Sequence, residues 1–176
     1  MTTQEIVLWT CAYLILLGAV IYFTRATARR VEGALVGGAA AGLLGMGAIA
    51  LSETLGWWHI PFARTRFFLP LFYVGLAISL IPIYLVTWRL ARRFGWRGLA
   101  VFISIVTVIG PPRDYLYART FPKWMVFAPG AIPILADAVT YAGMVALGHA
   151  MMRLIAGPAI EDQLSRTRVE TAQRRV

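Results

Sequence analysis

Charge is scarce in this chain. Only 14% of its 176 residues are charged, where a soluble domain carries about a quarter. Acids are scarcest, with eight Asp and Glu against seventeen Lys and Arg. A single cysteine, Cys11, excludes an internal disulfide and says nothing about redox compartment. No HExxH, histidine-box, CxxC or phosphate-loop pattern occurs, so no metal or other cofactor is expected. The two histidines, His59 and His149, fall at opposite ends of the apolar blocks, too far apart to share a ligand. Ser52, Ser79 and Ser104 have no histidine nearby in sequence to activate them. No Lys or Arg precedes the first apolar run, so that run lacks the basic start of a signal peptide and is expected to be a retained helix. Thr2 and Glu5 ahead of it have the spacing of a capping box.

What the chain does have is apolar residues, 59% of the total, in blocks of about 20. A helix needs about that length to cross ~30 Å of hydrocarbon. The expected fold is all-α, a polytopic membrane bundle of one domain over residues 1–156, with a polar cytoplasmic tail over 157–176. Five spans are expected, at about 6–23, 34–55, 67–88, 98–118 and 131–155. The fourth is irregular. Leu99 to Ile109 would make only ~17 Å of helix. Either the helix runs on through Pro111-Pro112 with a kink, or it stops there.

The net charge is +9, which in a soluble chain would suggest nucleic acid. Here the basic residues flank apolar blocks, so nucleic acid is not an expected partner and membrane lipids are. Twelve basic residues follow spans one, three and five, and five follow spans two and four. The positive-inside rule then sets the N-terminus outside and the tail in the cytoplasm, in a multi-pass protein of a bacterial-type inner membrane. In span two, Gly33, Gly37, Ala41 and Gly45 recur every four residues, as do Ala34, Gly38 and Gly42. Small residues at that spacing let helix backbones approach closely in lipid.

Three of the acids, Glu53, Asp114 and Asp137, fall toward the outer side. Glu53 ends span two and His59 follows it. Arg113, Asp114 and Tyr115 close span four. Asp137 lies ~6–10 Å below the outer interface in span five at the helical rise, with Tyr141 one turn deeper. Intramembrane charges usually face the protein interior and pair. Arg113 is the expected partner of Asp137, with Glu53 and Asp114 competing. Such a layer is either a structural ion-pair cluster or a functional site. A carboxylic acid in an apolar pocket can hold a proton and deliver it, while a neighbouring carboxylate stays ionised. That suits proton addition to an alkene, with aromatic rings steadying the cation. The candidate catalytic acids are Asp137, Glu53 and Asp114. The candidate ligand contacts are Arg113, Tyr115, Tyr141, Trp57, Trp58 and His59.

Several short stretches carry a resemblance. They are Glu53-Thr54-Leu55-Gly56-Trp57, Ile81-Pro82 with Trp88 beyond it, Arg113-Asp114-Tyr115, Pro122-Lys123-Trp124, Gly130-Ala131-Ile132-Pro133 and Asp137. In this order the chain resembles the membrane carotenoid-modifying proteins, the lycopene-cyclase and carotenoid-hydratase group. The double-acid PxEE signature of the cyclases is absent. The resemblance implies an isoprenoid or other hydrophobic ligand, and acids near helix ends that protonate a polyene. A non-catalytic subunit or assembly factor, bound to a membrane protein partner, is the competing expectation. A transporter ranks last, because the inner half of every span is almost wholly apolar.

Overall fold

The computed structural model describes residues 3–61, 68–122 and 125–157. Thr2 of the expected capping box, Arg64, Arg66, Lys123, Trp124 and the tail from Pro158 onward lie outside the described residues. The described chain is almost wholly helical, in the order α1 (Thr3–Thr24), α2 (Ala28–Leu55), β1 (Trp58–His59), α3 (Phe68–Ser79), α4 (Ile81–Thr120), β2 (Val126–Phe127) and α5 (Ala131–Ala156). Among the described residues three helical stretches are long and apolar enough to cross a membrane: Ala28–Leu55, Leu69–Thr120 and Ala131–Ala156. A shorter apolar helix covers Thr10–Thr24.

The breaks between helices have local causes. A turn through Arg25, in the left-handed region at φ 51°, separates α1 from α2. Gly56 closes α2 in the left-handed conformation, at φ 68°. Its N–H reaches the Glu53 carbonyl and the Trp57 N–H reaches that of Ser52, at 2.9 Å. This end motif satisfies carbonyls that a bare helix terminus would leave orphaned. Pro82 sits in the first turn of α4, where its missing N–H costs little. Backbone bonds from Leu80 to Leu76 and from Tyr84 to Leu80 carry the chain from α3 into α4 almost unbroken. The expected boundary near Trp88 is therefore not where the rod ends. It ends at Gly95, whose φ 64° and ψ −155° are not helical and belong to a region that only glycine occupies freely. The second half of α4 then runs through Pro111 and Pro112 to Thr120, so the two prolines do not end it.

The glycine stripes of α2 serve two neighbours. Gly33 faces the Met152 carbonyl at 3.0 Å from where its Cβ would be, Gly37 faces the Gly148 carbonyl, and Gly45 faces the Met144 side chain. These contacts are all with α5. Gly38 meets the Ala77 carbonyl and Gly42 the Tyr73 ring, both on α3. Tyr84 is fully buried, lies against Gly148 and donates to the Met144 carbonyl at 2.9 Å. Tyr84, Leu85, Trp88, Met144 and Met152 form the centre of the core with Ala34, Ala41 and Ile81. By contrast α1 rests mainly on α4, with Leu17, Val20 and Ile21 at the edge of the core, and Tyr13 donates to the Ile78 carbonyl of α3. Its outward side chains are apolar and exposed, Ile15 and Phe23 by about three-quarters. An apolar exterior of this kind suits hydrocarbon as solvent.

Candidate functional site

The bundle has two unlike ends. At one, Arg29 of α2 donates to the Ile155 carbonyl of α5 at 2.7 Å and the Arg30 guanidinium covers Trp88 of α4. The other end joins the C-terminus of α2, β1, the end of α4, β2 and the start of α5. Every candidate residue named from the sequence belongs to this acidic end.

Two polar groups form there. In the first, the reversal after Gly56 brings His59 back over Glu53. The His59 Nδ1 and Glu53 Oε2 are 2.8 Å apart, and Glu53 Oε1 accepts the Ile60 N–H at 2.8 Å. The pair borders a cleft of about 260 Å³ whose other walls are Met46, Ile49, Ala50, Ile60 and Leu69. In the second, Arg113 grips Asp114 through its Nε and NH2, at 2.9 and 2.7 Å. The Tyr141 hydroxyl donates to the other Asp114 oxygen at 2.6 Å, and Arg113 also contacts that hydroxyl. Tyr141 reaches α4 because Gly110 opposite has no side chain: a Cβ there would lie 2.5 Å from its ring.

Asp137 is 6% exposed. It shares the field of Asp114 and Arg113, yet Arg113 spends its hydrogen bonds on Asp114 and Tyr141. The Asp137–Arg113 pair expected from the sequence is not formed. Its Oδ2 is buried with no hydrogen-bond partner among the described residues. The expected single layer is also divided, with Glu53 and His59 on α2 and β1, and Arg113, Asp114, Asp137 and Tyr141 between α4 and α5.

An aromatic bridge joins the two groups. β1 pairs antiparallel with β2, Trp58 opposite Phe127 and His59 opposite Val126. The Phe127 ring lies 5.5 Å from that of Trp58 and 5.6 Å from that of Tyr115. Trp58 is buried, and its Nε1 has no acceptor among the described residues. Trp57 is half-buried and holds the bridge through its carbonyl, which accepts the Ala128 N–H at 2.8 Å. Phe127 was not among the residues named from the sequence. A two-residue strand has no periodicity to reveal it. Beside Tyr115 a second cleft of about 340 Å³ opens, lined by Pro111, Pro112, Leu116, Arg119 and Ile134.

Among the described residues no group of three or more His, Cys, Asp or Glu could hold a metal ion. His149 is away from this end. It is buried, and its Nδ1 is 3.0 Å from Thr87 Oγ1. No protein-family model, curated protein or solved structure matches the chain.

Proposed function

We propose that the chain is a multi-pass protein of a bacterial-type inner membrane that binds a lipid- or isoprenoid-class molecule at its acidic end, facing outward. The observation that carries this reading is Asp137 Oδ2, a buried acceptor without a donor among the described residues. Leaving such a group unmade costs roughly 1–3 kcal/mol or more, and buried polar atoms in proteins are nearly always satisfied. A ligand O–H or N–H would satisfy it. Enclosed ligand pockets usually measure about 300–1,000 Å³, and the two clefts fall at or below that range. They suit one chain of a membrane-resident molecule, entering sideways with the rest still in lipid.

Acid–base chemistry on a polyene, as the carotenoid-modifying resemblance implies, is the finer form of the proposal. Asp114 is held by Arg113 and Tyr141, and Glu53 by His59 and the Ile60 N–H. Asp137 is the one of the three whose carboxylate keeps an oxygen without a donor among the described residues, although it lines neither cleft.

Five crossings, with the N-terminus outside, belong to the same proposal. The β1–β2 pairing supports them. β1 follows α2 and β2 precedes α5, so the chain between them leaves one end of the bundle and returns to it. Leu69–Thr120 then crosses twice, turning at Gly95. Each half is about 37–40 Å long at the helical rise, enough for one crossing.

The test is mass spectrometry of the protein purified gently from its native membrane, reading extracted lipids and co-purifying proteins together. A stoichiometric isoprenoid or lipid, lost from Asp137→Leu, is expected. A stoichiometric protein partner with bulk lipid alone would sink the ligand reading and make the chain a subunit of a larger complex.

A further inference from the structure

The second cleft is ordered by polarity. Its long wall is one face of α4, where Pro111, Pro112, Tyr115, Leu116 and Arg119 follow at helical spacing, and Ile134 of α5 stands opposite. From Pro111 to Arg119 that face extends ~12 Å along the helix axis. Arg119 is at the end nearest the helix terminus, in the last turn of α4. It is the one charged side chain in the lining. Everything below it is apolar except the Tyr115 hydroxyl. Neither Asp114 nor Asp137 lines the cleft, and Asp114 is already matched by Arg113.

The Arg119 guanidinium is exposed and makes no hydrogen bond or ion pair among the described residues. A last-turn arginine often binds the terminal carbonyls of its own helix. Here those carbonyls are engaged elsewhere: Tyr117 accepts the Phe121 N–H at 2.8 Å, and Leu116 accepts the Thr120 hydroxyl at 2.9 Å. The Tyr115 hydroxyl likewise makes no hydrogen bond among the described residues, while its ring is held against Phe127. The apolar walls are preformed as well, since proline rings have no rotamer freedom to lose when a ligand covers them. A free guanidinium and a free hydroxyl thus stand at the head of a rigid apolar slot.

We propose that this cleft seats a single-chain membrane phosphate, its phosphate on Arg119 and the Tyr115 hydroxyl and its chain over Pro112 and Leu116. Guanidinium grips phosphate oxygens as a two-pronged donor. At a helix end the phosphate stays in the interface, where an arginine adds to its attraction, and the chain enters hydrocarbon. A cleft of about 340 Å³ is at the small end of ligand pockets and favours one chain over two. The site rests on the reading that this end of the bundle binds a membrane-resident molecule, and it supplies that molecule's head group.

Full-length protein in phosphatidylcholine nanodiscs provides the test, with retained molecules counted by native mass spectrometry after release from the discs. One set carries geranylgeranyl phosphate, one carries geranylgeraniol, which has the same chain without the phosphate, and one carries phosphatidylglycerol. Retention of the isoprenyl phosphate about fivefold above the alcohol is expected. Arg119→Gln should bring the phosphate down to the level of the alcohol, and Tyr115→Phe should bring it part of the way. Leu116→Trp fills the cleft from a position that is 66% exposed, so it should lower retention of both. Arg93→Gln, the same charge change at the opposite end, should alter neither. Equal retention of phosphate and alcohol by wild type would overturn the head group while leaving a hydrophobic ligand in place. Retention of neither would overturn the ligand reading of this cleft as well. A phosphate preference that survives Arg119→Gln would overturn the site. Phosphatidylglycerol held as strongly as the isoprenyl phosphate would overturn the single-chain assignment in favour of an ordinary phospholipid.

Discussion

Asp137 and Arg113 lie in one another's field without bonding, and that makes a sharp energetic prediction. Arg113, Asp114 and Tyr141 bond mutually, and hydrogen bonds to charged groups contribute about 1.5–3 kcal/mol. A double-mutant cycle on Asp114→Asn and Tyr141→Phe should therefore give a coupling of roughly 0.5–3 kcal/mol. The cycle on Asp137→Asn and Arg113→Gln should give clearly less, measured by unfolding in detergent. A larger coupling for the second pair would mean that Asp137 is bonded to Arg113 after all. Asp137 itself has an unusual expected response. Replacing an unsatisfied buried acceptor by an apolar group of similar size removes a penalty rather than an interaction. Asp137→Leu in ligand-free protein should then be as stable as wild type or more so. If stability falls by several kcal/mol instead, Oδ2 has a protein partner and the ligand argument fails. The sequence pointed to Asp137 through depth alone, because a carboxylate inside an apolar block is rare. It could not indicate the partner. Asp114 is adjacent to Arg113 in the chain and takes the guanidinium first, and Tyr141 completes the set only because Gly110 opposite is small.

At the scale of elements, glycine determines both where helices touch and where one breaks, and the two uses respond differently to substitution. Gly37→Ala would thrust a methyl onto the Gly148 carbonyl, and Gly38→Ala would thrust one onto that of Ala77. Overpacking a fixed interface costs typically about 1–3 kcal/mol, so both variants should unfold earlier. Gly47 and Gly75 have open space at the same atom, and there alanine should be neutral or stabilising by up to about 1 kcal/mol. Gly95 also has open space, yet its positive φ makes Gly95→Ala costly by about 1–3 kcal/mol through the backbone alone. Thermal unfolding of these five variants separates contact from conformation. A neutral Gly95→Ala would mean that the break is not required there. The α2 stripe was legible because a spacing of four maps directly onto one helix face. Its division between α5 and α3 was not, since a stripe does not name its neighbour. The break at Gly95 went unread because Arg92, Arg93 and Arg97 surround it, and a polar run marks a membrane boundary without saying whether the helix stops. Pro111-Pro112 left two outcomes open, a kinked continuation or a stop, and the chain stays helical through them.

The whole molecule depends on one small feature, the β1–β2 pairing. It ties the end of α2 to the start of α5, which forces the intervening helices out and back, and it sets Trp58 and Tyr115 on either side of Phe127. The proposed span count and the unity of the acidic end rest on it, and the proposed orientation rests on the charge bias. Cysteine labelling tests all three together, because Cys11 is the only native thiol. In a Cys11→Ser background, His59→Cys and Arg119→Cys each report the acidic end, and Arg93→Cys reports the basic end. All three positions are exposed. A membrane-impermeant maleimide should label the first two on intact cells, and Arg93→Cys only after permeabilisation. The positive-inside bias requires this sense of orientation. Labelling with every position reversed would invert the bundle in the membrane but leave its architecture and the proposed acidic-end site intact, with the ligand entering from the cytoplasmic leaflet. Labelling of His59→Cys and Arg119→Cys from opposite sides would be more damaging. β1 and β2 could not then pair, Leu69–Thr120 would cross an odd number of times, and Glu53 would be separated from Asp114 and Asp137 by the whole thickness of the bilayer.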